Sequence, residues 1–274
     1  MTLSRRSVLA TPLAALAQTA PGVKRYVRFL KDGRPGYGLM DGGRIRELRG
    51  SPLQGDAFTG AVHPSSAVKL LYPIEPPKAL AVGLNYKSHL GERPAPAQPE
   101  IFYKPTTCLQ NPGDPIVIPK GAKNVHYEAE LVIVMGKRLR NAATPAEAQA
   151  AIFGYTCGND VSERDWQKAD LQWWRAKGAD TFGPMGPVIA TGLDVTKSRI
   201  ELRLNGEVKQ KQMLSDLLFD CPACVMHISR YVTLEPGDVI FTGTPGTTSA
   251  MKPGDTVEVE IDGIGVLRNP VKAG

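Results

Sequence analysis

Two glutamates stand at the start of an apolar run in the segment VHYEAELVIVM, residues 125–135. The following LVIVM is rich in β-branched side chains, which predicts a strand covered on both faces. Glu128 and Glu130 are two positions apart, so on a strand both side chains point to the same side. Two like charges near a core repel each other and lose hydration. Either the strand begins in solvent and both carboxylates are hydrated, or a divalent cation lies between them.

A third carboxylate with similar surroundings is Asp160, which follows the apolar run AIFGYTC and precedes a polar stretch. A strand that ends at this point would present the side chain of Asp160 at its end. Three carboxylate oxygens together with water form a hard-cation site, suited to Mg²⁺, Mn²⁺ or Ca²⁺ rather than zinc. Carboxylates are common, so spacing alone does not decide between a cation and hydration.

The elements that must position these carboxylates are mostly strands. Strand composition recurs in ALAVGLN, PIVIP, ELVIVMG, GPVIA, IELRLNG, DVIFTG and TVEVEI. Helices are predicted at TPAEAQAAI, with Thr144 before Pro145 at the first helical position, and around CVMHISRY. A third candidate, SERDWQKADLQ, has poor apolar spacing. The predicted fold class is a β-rich α+β structure, a mixed-sheet barrel or roll with few helices.

The chain divides by composition near residue 76. Residues 23–75 contain short segments such as YVRFL, YGLM and RIREL, joined by Gly-containing turns, which predicts a small N-terminal β domain. The proline-rich YPIEPPK then indicates a linker. Residues 76–274 are predicted to form a second, larger domain that contains all three carboxylates.

Composition excludes several classes of protein. With 274 residues, 42% hydrophobic and 22% charged, the chain has an ordinary globular composition. No apolar stretch reaches the roughly 20 residues that span a bilayer, so stable membrane insertion is not expected. The net charge is +6, but basic and acidic residues are interleaved, which argues against nucleic-acid binding. A small anionic substrate is the expected partner.

The N-terminal segment LSRRSVLATPLAALAQTA has an arginine pair, a modest apolar stretch and then the small residues Ala-Leu-Ala. This order is typical of a twin-arginine export signal, predicted to occupy residues 1–20. The mature chain would then begin near Gln18 and act in the periplasm. The alternative is a disordered tail with an accidental arginine pair, in which case the protein would be cytoplasmic.

Four cysteines are present, at positions 108, 157, 221 and 224. Cys221 and Cys224 have redox-motif spacing, and an oxidising periplasm would permit a disulfide between them. No second CxxC exists to complete a zinc site. Small buried thiols are favoured, with a local disulfide or thiol redox activity as the alternative.

Four motifs follow one another along the chain: YEAELVIVMGK, NDVSERDWQ, KGADTFGPMGP and LEPGDVIFTGTPG. From about residue 77 to 270 the chain therefore resembles the fumarylacetoacetate hydrolase family. The resemblance implies that family's β-sheet roll, a homodimer, and a metal site at Glu128, Glu130 and Asp160, usually with Mg²⁺. The segment VGLNYKSH lacks a fourth carboxylate, as in the shorter, three-carboxylate members such as acylpyruvases.

The resemblance also implies three catalytic residues. His89 and Glu92 match the family's His-x-x-Glu pair, in which the carboxylate fixes the imidazole tautomer and the imidazole takes a proton from water. Lys177 matches a lysine whose ammonium stabilises a developing enolate. Alone, each of these side chains would be read as structural or surface-exposed.

Four further positions match residues near the substrate. Lys104 is expected to bind a substrate carboxylate as a point charge. Arg164 and Gln167 are expected to face the metal and to bind the carboxylate and the keto or enol oxygen. Thr244, in TGTPG, is expected to contribute its hydroxyl or backbone N–H to the same end of the substrate.

The function implied is divalent-metal-dependent hydrolysis of a C–C bond in a 3-acylpyruvate-like (2,4-diketo) acid, through an enolate, with His89 and Glu92 activating water. Decarboxylation of oxaloacetate, or isomerase or lyase action on a 2-hydroxydienedioate, would use the same enolate differently. Shared fold and metal ligands do not separate these reactions. A periplasmic protein that binds 2-oxo acids without turnover is a further alternative.

Overall fold

The computed structural model describes residues 22–274, which form nineteen β-strands and four α-helices. The strands, numbered along the chain, are β1 Lys24–Lys31, β2 Arg34–Asp41, β3 Arg44–Leu48, β4 Phe58–Pro64, β5 Lys69–Leu71, β6 Ala79–Gly83, β7 Glu100–Lys104, β8 Leu109–Gln110, β9 Ile116–Ile118, β10 Val125–His126, β11 Ala129–Met135, β12 Ile152–Asn159, β13 Ser162–Glu163, β14 Gly183–Thr191, β15 Arg199–Leu204, β16 Glu207–Met213, β17 Val239–Phe241, β18 Thr256–Ile261 and β19 Gly265–Ala273. The helices are α1 Pro145–Ala151, α2 Arg164–Ala169, α3 Trp174–Gly178 and α4 Cys221–Tyr231.

Twelve of these strands form one mixed sheet in the order β4-β3-β2-β1-β14-β12-β11-β17-β6-β7, with β5 beside β1 and β8 beside β14. Most neighbours are antiparallel, whereas β17 with β6 and β14 with β8 are parallel. A second sheet has the order β16-β15-β18-β19-β9, and β10 pairs with β13 alone. The predicted β-rich mixed-sheet fold with few helices is confirmed.

Strand β11 lies in the interior of the large sheet and all seven of its residues are buried. Leu131 and Ile133 belong to the main core together with Ile200 and Leu202 of the second sheet. Val132 and neighbouring Val134 pack in a smaller cluster on the opposite face. Burial on both faces explains the continuous apolar run, because neither set of alternating side chains faces water.

The predicted helices are present, and side chains cap their first turns. The Thr144 hydroxyl accepts the N–H of Glu147 at the start of α1. Asp220 accepts the N–H of Ala223 at the start of α4. The third candidate forms α2, where the Glu163 carboxylate accepts the N–H of Trp166 at 2.6 Å.

The N-terminal strands continue the large sheet, because β1 pairs with β14. The boundary near residue 76 stays a prediction, as does the homodimer. The export signal falls on residues outside the described range. Among residues 22–274 no helix is long and apolar enough to cross a membrane. All four cysteines are buried free thiols, so no disulfide joins Cys221 and Cys224 in this structure.

Candidate active site

The three carboxylates meet where β11 begins and β12 ends. These strands are antiparallel, with Glu130 opposite Gly158, and the N–H of Asp160 donates to the carbonyl of Glu128 at 2.9 Å. One oxygen of each of Glu128, Glu130 and Asp160 lies within 4.8 Å of the other two. All three residues are buried, so the hydrated-surface explanation for the paired glutamates does not hold.

The charges around this cluster fit a hard cation. Burial, and then the charges of Asp160 and Glu128, raise the pKa of Glu130 well above its usual range. Its carboxylate accepts the backbone N–H of Gly243 at 2.7 Å, and no lysine or arginine among residues 22–274 forms an ion pair with it. Three oxygen donors, one of them without a cationic partner, match the preference of Mg²⁺, Mn²⁺ or Ca²⁺.

Two cationic side chains of the cavity wall bind the other carboxylates. The Lys177 ammonium donates to Glu128 Oε2 at 2.5 Å and to Asp160 Oδ2 at 2.7 Å. The Arg164 guanidinium donates to Glu128 Oε1 at 2.5 Å and to Gln167 Oε1 at 2.8 Å. Although burial alone would raise it, Lys177 and Arg164 lower the pKa of Glu128 to about 2. The structure thus brings three predicted residues, Lys177, Arg164 and Gln167, to the carboxylates.

His89 ends a short 3₁₀ helix, Lys87–His89, beside the same cavity. Its Nδ1 lies 2.6 Å from the carbonyl oxygen of Gly246, and its Nε2 lies 3.9 Å from Glu128 Oε1. A carbonyl only accepts, so Nδ1 carries a proton, and in the neutral ring Nε2 keeps its lone pair. Burial lowers the pKa of His89, although Glu128 opposes this. The ring is therefore a neutral base with Nε2 toward the carboxylates.

The position of Glu92 differs from the expectation of a His-x-x-Glu pair. Its side chain is exposed, and it takes part in no hydrogen bond or ion pair within the described part of the chain. The helical turn ends at His89, and Gly91 then adopts a left-handed conformation with φ +61°. The three-residue spacing consequently does not place the carboxylate on the imidazole, and the carbonyl of Gly246 sets the tautomer.

Lys104 also lies elsewhere than expected. Its buried ammonium donates to Asp160 Oδ1 at 2.6 Å, to the Phe182 carbonyl at 3.3 Å, and to the carbonyl of Lys177. All three donors are used, and the side chain is not part of the cavity wall. This position does not fit direct binding of a substrate carboxylate; Lys104 instead holds Asp160 and the backbone of Lys177 together.

The cavity has a volume of about 520 Å³. Its lining is Val82, Gly83, Leu84, His89, Arg93, Phe102, Glu128, Glu130, Asp160, Arg164, Gln167, Lys168, Trp173, Lys177, Thr244 and Thr248. Thr244 lines this space, and its contact with a substrate stays a prediction. The cavity wall therefore provides a candidate cation site, a histidine base and several cationic side chains.

Sequence reasoning missed several residues that shape the cavity. The hydroxyl of Thr248 contacts both Arg164 and His126, each at 2.8 Å. Gln210 bonds to Thr244 from the second sheet. Arg93 and Lys168 line the wall. Thr248 is the second residue after TGTPG and could have been included on that ground, whereas the contact of Gln210 depends on how the two sheets pack.

The fold and this cavity define a class of β-rich proteins that carry a buried three-carboxylate site for a hard cation at the end of two central strands. The sequence model of the fumarylacetoacetate (FAA) hydrolase C-terminal family matches residues 78–272. The chain belongs to the fumarylacetoacetate hydrolase family. Residues 24–73 match a second model, described as Rv2993c-like, N-terminal.

Named relatives in this family are enzymes of several kinds. The chain is 34% identical over 311 residues to oxaloacetate tautomerase fahd2, mitochondrial, of Xenopus laevis, covering 99% of this chain and 95% of the relative. The structure of 2-hydroxyhepta-2,4-diene-1,7-dioate isomerase from Mycobacterium marinum superposes with a TM-score of 0.86 at 41% identity, covering 91% and 98%.

A third relative is a maleylpyruvate hydrolase from Sphingobium sp. SYK-6, in complex with manganese(II) ion and pyruvate. It superposes with a TM-score of 0.76 at 30% identity, covering 91% of this chain and 99% of its own. Members of the family therefore bind a divalent metal and include hydrolases, isomerases and tautomerases.

Proposed function

We propose that this protein catalyses proton transfer beside the keto group of a 2-oxo dicarboxylic acid, as a tautomerase or isomerase that uses a divalent cation, Mg²⁺ or Mn²⁺. The observation that carries the proposal is the placement of the His89 imidazole between the Gly246 carbonyl and the carboxylate cluster. Its Nε2 faces the carboxylate cluster, 3.9 Å from Glu128 Oε1, without a carboxylate on its other nitrogen. Tautomerisation needs one base that takes a proton and returns it, whereas activation of water by a His–Glu pair would need Glu92 nearby.

Different residues of the cavity have different roles in this reaction. Nε2 of His89 takes a proton from the carbon next to the keto group, which leaves an imidazolium and an enolate. The imidazolium then returns the proton to the enolate oxygen, giving the enol, or to a more distant carbon in an isomerase reaction. The Lys177 ammonium contributes positive charge where the enolate develops. A cation held by Glu128, Glu130 and Asp160 would polarise the keto oxygen.

A second carboxylate on the substrate is supported by charge on the cavity wall. Arg93 donates to the carbonyls of Leu90 and His89 and has no acidic partner within residues 22–274. Lys168 also lines the cavity and pairs with no carboxylate in that range. Both are available to an anionic ligand, and the named relatives act on dicarboxylic acids or their close analogues.

Hydrolysis of the C–C bond of an acylpyruvate-like acid is the second candidate. It is favoured by the volume of the cavity, about 520 Å³, which leaves room for a water molecule beside a substrate of this size. The hydrolase relative bound to manganese(II) and pyruvate supports the same chemistry. In this reaction His89 would act on water alone, without help from Glu92.

The two candidates are separated by products. Protein treated with chelator is reloaded with Mg²⁺ or Mn²⁺ and given oxaloacetate or acetylpyruvate in deuterated water, and both are followed by NMR. Tautomerase action exchanges the protons beside the keto group and interconverts keto and enol forms. Hydrolysis converts acetylpyruvate to acetate and pyruvate.

The matched variants are His89→Gln and His227→Gln. His227 lies on α4 and is not part of the cavity wall, so its replacement is expected to preserve activity. Loss of His89 should slow proton exchange by about 10²–10⁴-fold. Full exchange by His89→Gln, or equal exchange with and without added cation, contradicts the proposal.

A further inference from the structure

Gln210 is a buried amide that joins the second sheet to the carboxylate cluster. It lies on β16 and is 3% exposed. Its Oε1 accepts the N–H of Ala129, the residue between the two glutamates, at 3.0 Å. Its Nε2 donates to the Thr244 hydroxyl at 2.9 Å and to the Pro245 carbonyl at 2.5 Å. Every N–H of the amide is therefore used.

Backbone groups determine which way this amide faces. The N–H of Ala129 can only donate, so it requires Oε1 of Gln210. The carbonyl of Pro245 can only accept, so it requires Nε2. A flipped amide would place N–H against N–H and oxygen against oxygen, and would lose both bonds. The observed orientation is the one that satisfies both neighbours.

The orientation of the amide determines the role of the Thr244 hydroxyl. Because Nε2 can only donate, the Thr244 oxygen accepts and its own proton is left for another acceptor. That proton finds no other partner within residues 22–274, and Thr244 lines the cavity. We infer that Gln210 is a positioning residue that holds the Thr244 hydroxyl as a hydrogen-bond donor to an anionic oxygen of the ligand. Naming that ligand a 2-oxo acid rests on the proposed function.

A purely structural role for Gln210 would have a different consequence. Its bond to Ala129 lies between Glu128 and Glu130, so if it only supported β11, its loss would disturb the carboxylates and weaken cation binding. If it acts through Thr244, its loss weakens binding of the organic anion and leaves cation affinity nearly unchanged. The two affinities can be measured separately.

The test is a double-mutant cycle with Gln210→Met and Thr244→Val, measured by calorimetry. Mn²⁺ binding is titrated first, and oxalate, which presents two adjacent carboxylates, is then titrated into the Mn²⁺-loaded protein. Each single variant should bind oxalate about 10- to 100-fold more weakly, as expected for a lost hydrogen bond to a charged group. The oxalate affinity of the double variant should lie within about twofold of that of either single variant, because both changes remove the same interaction.

Matched variants complete the experiment. Thr244→Ser keeps the hydroxyl and should retain oxalate affinity, as should Gln212→Met, two positions along the same strand. If Gln210→Met does not fold, Gln210→Glu keeps an acceptor for Ala129 but has no N–H for Thr244, and it should show the same loss of oxalate binding.

Three outcomes overturn the inference: unchanged oxalate affinity in the Gln210 variant, additive losses in the double variant, or a collapse of Mn²⁺ affinity. Failure of the proposed function is a separate result. Wild-type protein that binds oxalate but turns over no 2-oxo acid would reject the function and still allow the Gln210 cycle to be measured.

Discussion

The buried pair of Lys104 and Asp160 gives the sharpest prediction for stability. Both side chains are almost completely inaccessible to solvent, at 0% and 1%, and their charged atoms lie 2.6 Å apart. Burial by itself lowers the pKa of Lys104, but the charge of Asp160 and its hydrogen bond to the ammonium outweigh this and raise it, so the ammonium stays charged. Replacing Lys104 by Met keeps the length of the side chain and removes the charge.

The expected loss of unfolding free energy follows from the buried polar groups that the Lys104→Met variant leaves without a donor. Asp160 keeps its bond to Lys177, but its other oxygen and the carbonyls of Phe182 and Lys177 lose their buried donor. Removing one partner of a buried ion pair costs about 3–5 kcal/mol of unfolding free energy. For a chain of this size that corresponds to a fall in Tm of roughly 6–20 °C. The exposed pair of Lys69 and Asp114 is the control, and Lys69→Met should cost about 0–1 kcal/mol.

The assay is urea unfolding followed by tryptophan fluorescence, with chelator present so that metal binding does not contribute. Adding Asp160→Asn to Lys104→Met removes the unpaired charge, so the double variant should be more stable than the sum of the two single losses predicts. A cost below about 1 kcal/mol for Lys104→Met, or strict additivity, would show that the pair does not stabilise the fold in this way.

Two further predictions concern pH and metal. Burial, and then the charge of Arg164, lower the pKa of His126 from 6.5 to about 4. Between these two pH values the imidazole binds a proton in the unfolded chain but not in the folded protein. The unfolding free energy should therefore fall as the pH drops from about 6.5 to about 4. Unfolding in urea across this range should show a flatter curve for His126→Gln, and an unchanged curve would contradict the assignment. Mn²⁺ at 100 times its Kd should raise the unfolding free energy of the wild type by about 2.7 kcal/mol. The Glu130→Gln variant should lose most of this stabilisation, and the surface variant Glu235→Gln should keep it. Equal stabilisation of both variants would show that the cation binds elsewhere.

The carboxylate cluster could be predicted because strand patterns and family motifs indicate the same three residues. Glu128 and Glu130 share a face through strand alternation, and Asp160 stands at the end of an apolar run, so the strand pattern already aims all three side chains. The antiparallel pairing of β11 with β12 then brings them together. Family motifs added Lys177 and Arg164, which lie on short helices that no periodicity would have placed at the cluster.

The misplaced residues depend on features that sequence patterns do not carry. For Glu92 the decisive feature is one backbone conformation, the left-handed turn at Gly91. For Lys104 it is the direction of a side chain at the end of an edge strand, which here points inward to Asp160 and the Phe182 carbonyl. Gln210 lies in the polar segment EVKQKQM and is buried only because the second sheet packs on β11.

The charge of the cavity links the binding of the cation to the binding of the substrate. In their ionised forms the three carboxylates are matched by Lys104, Lys177 and Arg164. A divalent cation adds two positive charges to this balanced cluster, and a dianionic 2-oxo dicarboxylate brings two negative charges. Binding of either ligand therefore increases the affinity for the other, and this coupling must be reciprocal. The wall also carries Arg93 and Lys168, which pair with no carboxylate among residues 22–274. A second carboxylate on the substrate would meet these cations, whereas a monoanionic acylpyruvate has no second charge to offer them.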